Sequence, residues 1–290
     1  MAHDIQGGHA LITGASRGIG VHIARAFSQR GYKLSLVARS IEGLEKTAAL
    51  LSRSGVSIEL IAADLADSDA RRQLLERATQ AHGPIDVLVN NAGLYEPGLL
   101  EARDDAAIEA ELQLNLHALI YLSKAVLPAM RARGHGAIVN MSSLAGLVGA
   151  AYSEVYSASK FGVVGFTRAL RASLAQEGQA GIQVVSVCPG YVSEVGMFQD
   201  YAQQYEISAP TWMGTSHPDA VAQAVIEALG SRAPEVIVNP GPMRLGLSLA
   251  ALFPRIMEWV YLKLGAHRTL GPVVESGKHE ERAKEESQDG

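Results

Sequence analysis

The 290-residue chain predicts an α/β fold, a doubly wound parallel seven-stranded sheet with helices on both faces and a C-terminal helical extension. Three observations predict it. Short apolar strand-like runs alternate with longer helical patterns, the signature of βαβ units. There are seven such runs and six intervening helical patterns, which suits helices on both faces of one sheet. A glycine-rich string at residues 13–20 follows the first run and opens the first helical pattern.

In chain order, the strand-like runs fall at 9–13, 33–37, 57–62, 87–90, 136–141, 183–188 and 235–238. The helical patterns lie near 18–30, 41–54, 68–82, 104–132, 153–177 and 218–229. No internal repeat and no dividing linker is visible, so residues 1–240 read as one domain. Two regions break the rhythm. The connection 191–217 carries Met197, Phe198, Tyr201, Tyr205, Trp212 and Met213, and its length marks it as a lid or binding loop. Residues 241–266 form an apolar extension, read as a helix interrupted at Pro254. From His267 to Gly290 the composition is rich in Lys, Glu, Gly and Ser, which predicts disorder.

The chain is 48% hydrophobic and 19% charged, with a net charge of −5, so a sizeable core is available. That balance offers no electrostatic reason to bind nucleic acid. The single cysteine, Cys188, excludes an internal disulfide and suits a reducing compartment. It sits in an apolar run and reads as a buried structural thiol. The N-terminal residues are polar and the first apolar run is too short for a signal peptide. The apolar stretch 245–254 is about half a membrane span. A cytoplasmic protein without a transmembrane span is expected. The nine histidines are scattered without metal-ligand spacing, so no metal is expected, and His117 reads as a surface or packing residue.

Tyr156 and Lys160, four residues apart in a helical pattern, share one helix face. A free tyrosine titrates near 10, and a neighbouring ammonium favours the phenolate. The competing reading is an ordinary pair on a solvated face. In the glycine string, Gly14, Ser16, Arg17, Gly18, Ile19 and Gly20 would let backbone N–H groups approach a pyrophosphate at a helix N-terminus. After the second run, where an acid would bind a ribose, stands Arg39. Arg39 and Arg17 together favour NADP over NAD; the alternative for Arg39 is a solvated loop residue. Asp64 and Leu65, after the third run, are placed at the adenine edge.

The glycine pattern, Asn90-Asn91-Ala92-Gly93, the Ser143/Tyr156/Lys160 set and Pro189-Gly190 occur in the order of the short-chain dehydrogenase/reductase family. The chain resembles that family, in its short single-domain form, over residues 8–240. The resemblance implies a Rossmann fold and an NADP(H)-dependent enzyme acting on CH–OH groups. It makes Tyr156 the general acid or base. Lys160 then holds the nicotinamide ribose and lowers the tyrosine's pKa, and Ser143 donates to the substrate oxygen. Ser143 is preferred to Ser142 because the family's serine lies thirteen residues before its tyrosine. Asn115 matches the family's helix-interrupting asparagine, which completes a proton relay. Asn91, Ala92 and Gly93 would line the cofactor, with Pro189, Gly190 and Val192 near the nicotinamide. The family often has a threonine where this chain has Glu194, and an ionised carboxylate cannot make the same donation.

The lid's aromatic and methionine side chains, with Leu94 and Tyr95, imply an apolar pocket, or else only pin the loop down. A lipophilic ketone or aldehyde is the expected substrate, with a 3-oxoacyl-thioester reductase as the alternative. A non-catalytic NADP-binding sensor or scaffold would have lost Tyr156 or Lys160, and both are present. A sugar-nucleotide epimerase would show a different glycine spacing and a larger C-terminal domain. Small residues Ala158, Gly162, Gly165 and Ala169 form one helix stripe. With the resemblance they imply a homodimer or homotetramer; the alternative is packing on the chain's own sheet. The 241–264 segment has three open roles: capping the pocket, forming a subunit interface, or resting on a membrane surface.

Overall fold

The computed structural model describes residues 7–241, 243–265 and 269–276. Seven strands form one sheet: β1 His9–Thr13, β2 Lys33–Ala38, β3 Ile58–Ala62, β4 Val87–Asn90, β5 Gly136–Met141, β6 Ile182–Pro189 and β7 Glu235–Val238. Their order is β3-β2-β1-β4-β5-β6-β7, and every pairing is parallel. Parallel neighbours need crossovers, and helices supply them on both faces. They are α1 Ile19–Ser28, α2 Ile41–Leu51, α3 Ser68–His82, α4 Asp105–Leu112, α5 Ala118–Arg133, α6 Glu154–Gln176, α7 Met197–Gln204 and α8 Pro218–Ala228. Two more, α9 Met243–Leu252 and α10 Pro254–Lys263, follow the last strand.

The alternation of side chains along a strand makes two cores. Ala10 and Ile12 of β1 face Ile23 and Phe27 of α1, Leu44 of α2 and Val225 of α8. Leu11, between them, faces the layer containing Leu74 of α3, Leu122 and Met130 of α5 and Leu174 of α6. Helix starts are written locally. Asp67 accepts from Asp69 N at 2.7 Å to cap α3, and Pro218 occupies the first turn of α8. A polar seam crosses the second core. Asn90 donates to Asn140 at 2.9 Å, and Asn140 donates to Thr167 at 2.9 Å, tying β4, β5 and α6 in register. Because the chain runs outward from β1 to β3 and then returns to β4, the helices that follow β1 and β4 lie on opposite faces of the sheet. A crevice at such a switch point is where open α/β sheets bind ligands.

The structure departs from the sequence expectations in four places. The helix expected over 104–132 is two helices, joined by a π turn at Gln113–His117 that holds Asn115. The 191–217 connection contains α7 and is pinned at its base, where Ser216 N donates to Tyr191 O at 2.8 Å. Pro254 does not interrupt a helix interior; the break falls at Phe253, and Pro254 sits in the first turn of α10, where its missing N–H costs nothing. Disorder expected from His267 does not hold for residues 269–276, which are helical. There Leu270, Val273 and Val274 are buried, and the cluster that takes up Leu270 and Val273 includes Ile207, Phe198 and Tyr201. The rest of that tail lies outside the described residues.

Candidate active site

At the carboxyl end of β1 the chain makes the glycine turn. Gly14 and Gly18 adopt left-handed φ values of 66° and 60°. A Cβ on Gly14 would lie 2.8 Å from Ala92 Cα, so the turn packs directly on the segment after β4. Asn91 and Thr13 latch the two together. Asn91 Nδ2 donates to Thr13 O at 3.0 Å and to Gly14 O at 3.2 Å, while Thr13 Oγ1 accepts from Asn91 N and Ala92 N. Helix α1 begins here with no side-chain cap and no acidic residue in its first turn. Its first N–H groups therefore face outward with positive potential, beside backbone cleared of side chains. This cradle fits the pyrophosphate of a dinucleotide.

The other nucleotide-end residues divide. Arg39 is exposed and makes no hydrogen bond or ion pair among the described residues, so its guanidinium is free for an anion. Arg17 is not free: its Nη1 pairs with Asp200 of α7 at 2.8 Å. Asp64 is exposed, and its Oδ1 closes a local turn by accepting from Ala66 N at 2.9 Å. Leu65 is buried in the core. Ser16 packs so closely on α2 that a Cβ at Gly43 would lie 2.7 Å from it.

At the carboxyl ends of β4, β5 and β6 the structure brings the proton-handling residues together. Tyr156 and Lys160 lie one turn apart on α6, with Lys160 Nζ 5.5 Å from the Tyr156 ring centroid. Lys160 is buried, and Nζ donates to Met141 O at 2.9 Å. Ser143, two residues beyond β5 in extended backbone, lies beside the Tyr156 phenol, donates to Pro189 O at 3.4 Å and accepts from Ala145 N at 3.1 Å. Ser142 instead donates to Lys160 O at 3.0 Å, consistent with alternation along the segment. Asn115 spans the site's back wall: Oδ1 accepts from Leu94 N at 2.7 Å, and Nδ2 donates to Leu94 O at 2.9 Å and Ser159 Oγ at 3.2 Å. The wider π turn lets this side chain reach both the post-β4 segment and α6.

Electrostatically, the site departs from the expectation that Lys160 depresses the tyrosine. Burial pushes the Tyr156 phenol up to about 12, and the opposing influence is the Ser143 hydrogen bond. Burial also pulls the Lys160 ammonium down to about 8, against the favourable field of Glu111. Desolvation is the largest influence on both groups. The unfolded chain then holds the lysine proton more tightly than the folded one. Lys160 thus costs stability below about pH 8, and the cost is relieved as pH rises from there towards the ordinary value of 10.5. Urea unfolding of Lys160→Met and parent should show the variant gaining relative stability at about pH 7 compared with about pH 9, by roughly 1 kcal/mol per pH unit crossed. A pH-independent difference would refute the depressed ammonium.

The cluster faces a cavity of about 850 Å³. Tyr95 stands edge-on between Tyr156 and Tyr201 of α7, at centroid distances of 4.8 and 5.6 Å. Tyr191 packs on Phe198 at 4.4 Å, so the lid aromatics both pin the loop and wall the cavity. Met243 and Leu247 of α9, Tyr261 of α10 and Leu270 complete the walls. Thr269 and Leu270 lie in the tail that sequence reasoning left unstructured, where eight residues give too short an apolar period to detect. Glu194 does not line the cavity; it takes a left-handed φ of 66° and pairs with His217 at 3.3 Å. Cys188 is buried between strands with its thiol pushed up to about 12 by desolvation, a structural thiol.

A dinucleotide cradle at the switch point, with a phenol, an ammonium and a hydroxyl converging beside it, defines an oxidoreductase of the alcohol–carbonyl couple. The model of the short chain dehydrogenase family matches residues 8–206. The ketoacyl reductase HetN of Nostoc sp. is 38% identical over 266 residues, 90% of each chain. A variant of the actinorhodin polyketide ketoreductase, solved with NADPH, superposes with a TM-score of 0.71 at 34% identity, covering 80% of this chain and 95% of that one. An alcohol dehydrogenase from Thermococcus sibiricus, complexed with 5-hydroxy-NADP, gives 0.68 at 28% identity over 80% and 96% of the two chains. The chain belongs to the short-chain dehydrogenase family.

Proposed function

We propose that the protein reduces the carbonyl of an extended lipophilic substrate with NADPH, and that 3-oxoacyl chains are the class it takes. The observation that carries this is the Ser143–Tyr156–Lys160 cluster opening into a large cavity with mostly apolar walls. The ketoacyl reductase names among its relatives support the acyl class. When bound, the reduced cofactor supplies a hydride. Glycine-turn N–H groups would hold its pyrophosphate, Lys160 its nicotinamide ribose, and the segments at Asn91–Gly93 and Pro189–Val192 its nicotinamide end. Tyr156 gives the proton to the carbonyl oxygen, and burial keeps that proton in place at neutral pH, loading the site for reduction. Ser143, otherwise donating weakly to Pro189 O at 3.4 Å, re-aims to the same oxygen. An NADPH-consumption assay over 3-oxoacyl thioesters of increasing chain length tests the reading. Specificity should rise with length and exceed that for small diketones; no dependence on length would refute it.

Arg39 supports the NADP preference, since the guanidinium is free and no acid occupies the strand end. Arg39→Asp should weaken NADPH binding about 10–100-fold and narrow or reverse the preference over NADH, read by fluorescence titration. Tighter NADH than NADPH binding by the parent would overturn the assignment. Exposed Tyr121, Gly165 and Ala169 on α5 and α6 support a homodimer or homotetramer through that face, whereas Gly162 packs internally on Leu116. The lone buried thiol supports a cytoplasmic setting.

A further inference from the structure

Seven large apolar side chains, Leu245, Leu249, Leu252, Phe253, Ile256, Trp259 and Leu262, stand 40–71% exposed on α9, α10 and the turn between them. All of residues 7–241 expose only six others of this kind. Such a concentration marks an interaction surface. The two helices are two-sided. Leu245, Leu249 and Leu252 form one stripe of α9 by helical spacing, while Met243, Leu247 and Ala250 line the substrate cavity from the opposite stripe. On α10, Ile256 and Trp259 are exposed away from the cavity, while Pro254, Glu258, Tyr261 and Leu262 line it, Leu262 remaining 55% exposed. The pair therefore walls the cavity with one side and presents the other to its surroundings.

Length and charge say what covers the outer side. Each helix has ten residues, roughly 15 Å and half a bilayer's hydrocarbon core, and the two meet at 119°. No single described helix is long and apolar enough to cross a membrane. The charged residues of the pair, Arg244, Arg255, Lys263 and Glu258, are all exposed, and Glu258, its only carboxylate, lies on the cavity side. Lys263 Nζ stands 6.0 Å over the Trp259 ring, an amphipathic pairing suited to headgroup depth. A second copy of this chain fits less well, because two-fold pairing of the patch would set three cations of each copy against one another, with only one carboxylate per copy, on the cavity side, to offset them. We propose that α9 and α10 dock the protein on an anionic lipid surface, the outer stripe resting at the headgroup–acyl boundary.

Flotation of the full chain with vesicles tests this without NADPH or turnover, so it succeeds or fails independently of the reductase reading. The parent should float with mixed phosphatidylcholine–phosphatidylglycerol vesicles and less with phosphatidylcholine alone. The combined variant Leu245→Ser, Leu252→Ser and Ile256→Ser should lose at least about tenfold in binding, since each is exposed and unneeded by the core. Arg244→Gln with Arg255→Gln should lose roughly fivefold per cation on the anionic vesicles alone. In sedimentation velocity without lipid, all variants should match the parent's assembly state. As a second measurement, Trp212→Phe leaves Trp259 as the only tryptophan, and its emission should shift to the blue on adding mixed vesicles. Absence of flotation, an unmoved Trp259 emission, or a changed assembly state in the serine variant would overturn the proposal, the last in favour of a subunit interface.

Discussion

Tyr156→Phe should lower kcat for carbonyl reduction roughly a thousandfold, the usual scale for losing a positioned general acid. It should leave NADPH binding within about twofold. The substitution removes only the hydroxyl. The ring keeps its edge contact with Tyr95 at 4.8 Å, and Lys160 keeps its bond to Met141 O. Ser143 retains Ala145 N and Pro189 O as partners, so no buried hydroxyl is orphaned. Thermal stability should therefore stay near the parent's, which separates lost chemistry from lost fold. Near-normal turnover would remove Tyr156 from its role, and loss of NADPH binding would show that the hydroxyl positions the cofactor.

Gly20→Ala should have the largest effect at the nucleotide end. The added Cβ would lie 2.1 Å from Gly14 O and 2.9 Å from Asn91 Nδ2. Neither neighbour can yield cheaply, because one is backbone of the turn and the other latches it to the post-β4 segment. Relief requires moving the turn off Asn91, at a cost of about 2–4 kcal/mol for overpacking and the lost bonds. The melting temperature should fall roughly 5–10 °C, and NADPH affinity should drop at least about a hundredfold as the N–H cradle shifts. Gly98→Ala is the control. Nothing lies within 4 Å of its Cβ position and its φ is not left-handed, so the substitution should be neutral or slightly stabilising. Unchanged NADPH affinity in Gly20→Ala would show that the turn does not hold the cofactor.

What sequence made legible was local. The Tyr156–Lys160 spacing places both on one face wherever a helix forms, and the glycine string constrains its own backbone. The choice of Ser143 over Ser142 comes from the family resemblance; alternation in an extended segment says only that the two point apart, and the structure does separate them. What stayed illegible depends on partners distant in the chain. Lys160 looked like the group that would depress the tyrosine, but burial raises the phenol, and burial is a property of the assembled core. Arg17 read as a free cation until α7 brought Asp200 to it. Glu111, buried on α4 against Arg103 at 2.8 Å, contributes to the field at Lys160 and carries no sequence signal. The walls from α9, α10 and residues 269–276 are likewise assembled by packing, and they define the cavity's reach.

The most direct measurement follows deuterium from 4-deuterated NADPH into product, with a medium-chain 3-oxoacyl thioester as acceptor. The parent enzyme should place one deuterium on the carbinol carbon with matching cofactor oxidation, and Tyr156→Phe should bind the same cofactor while transferring almost none. Tight NADPH binding by the parent with no label reaching any carbonyl, across thioesters, ketones and aldehydes alike, would contradict a hydride-transferring reductase.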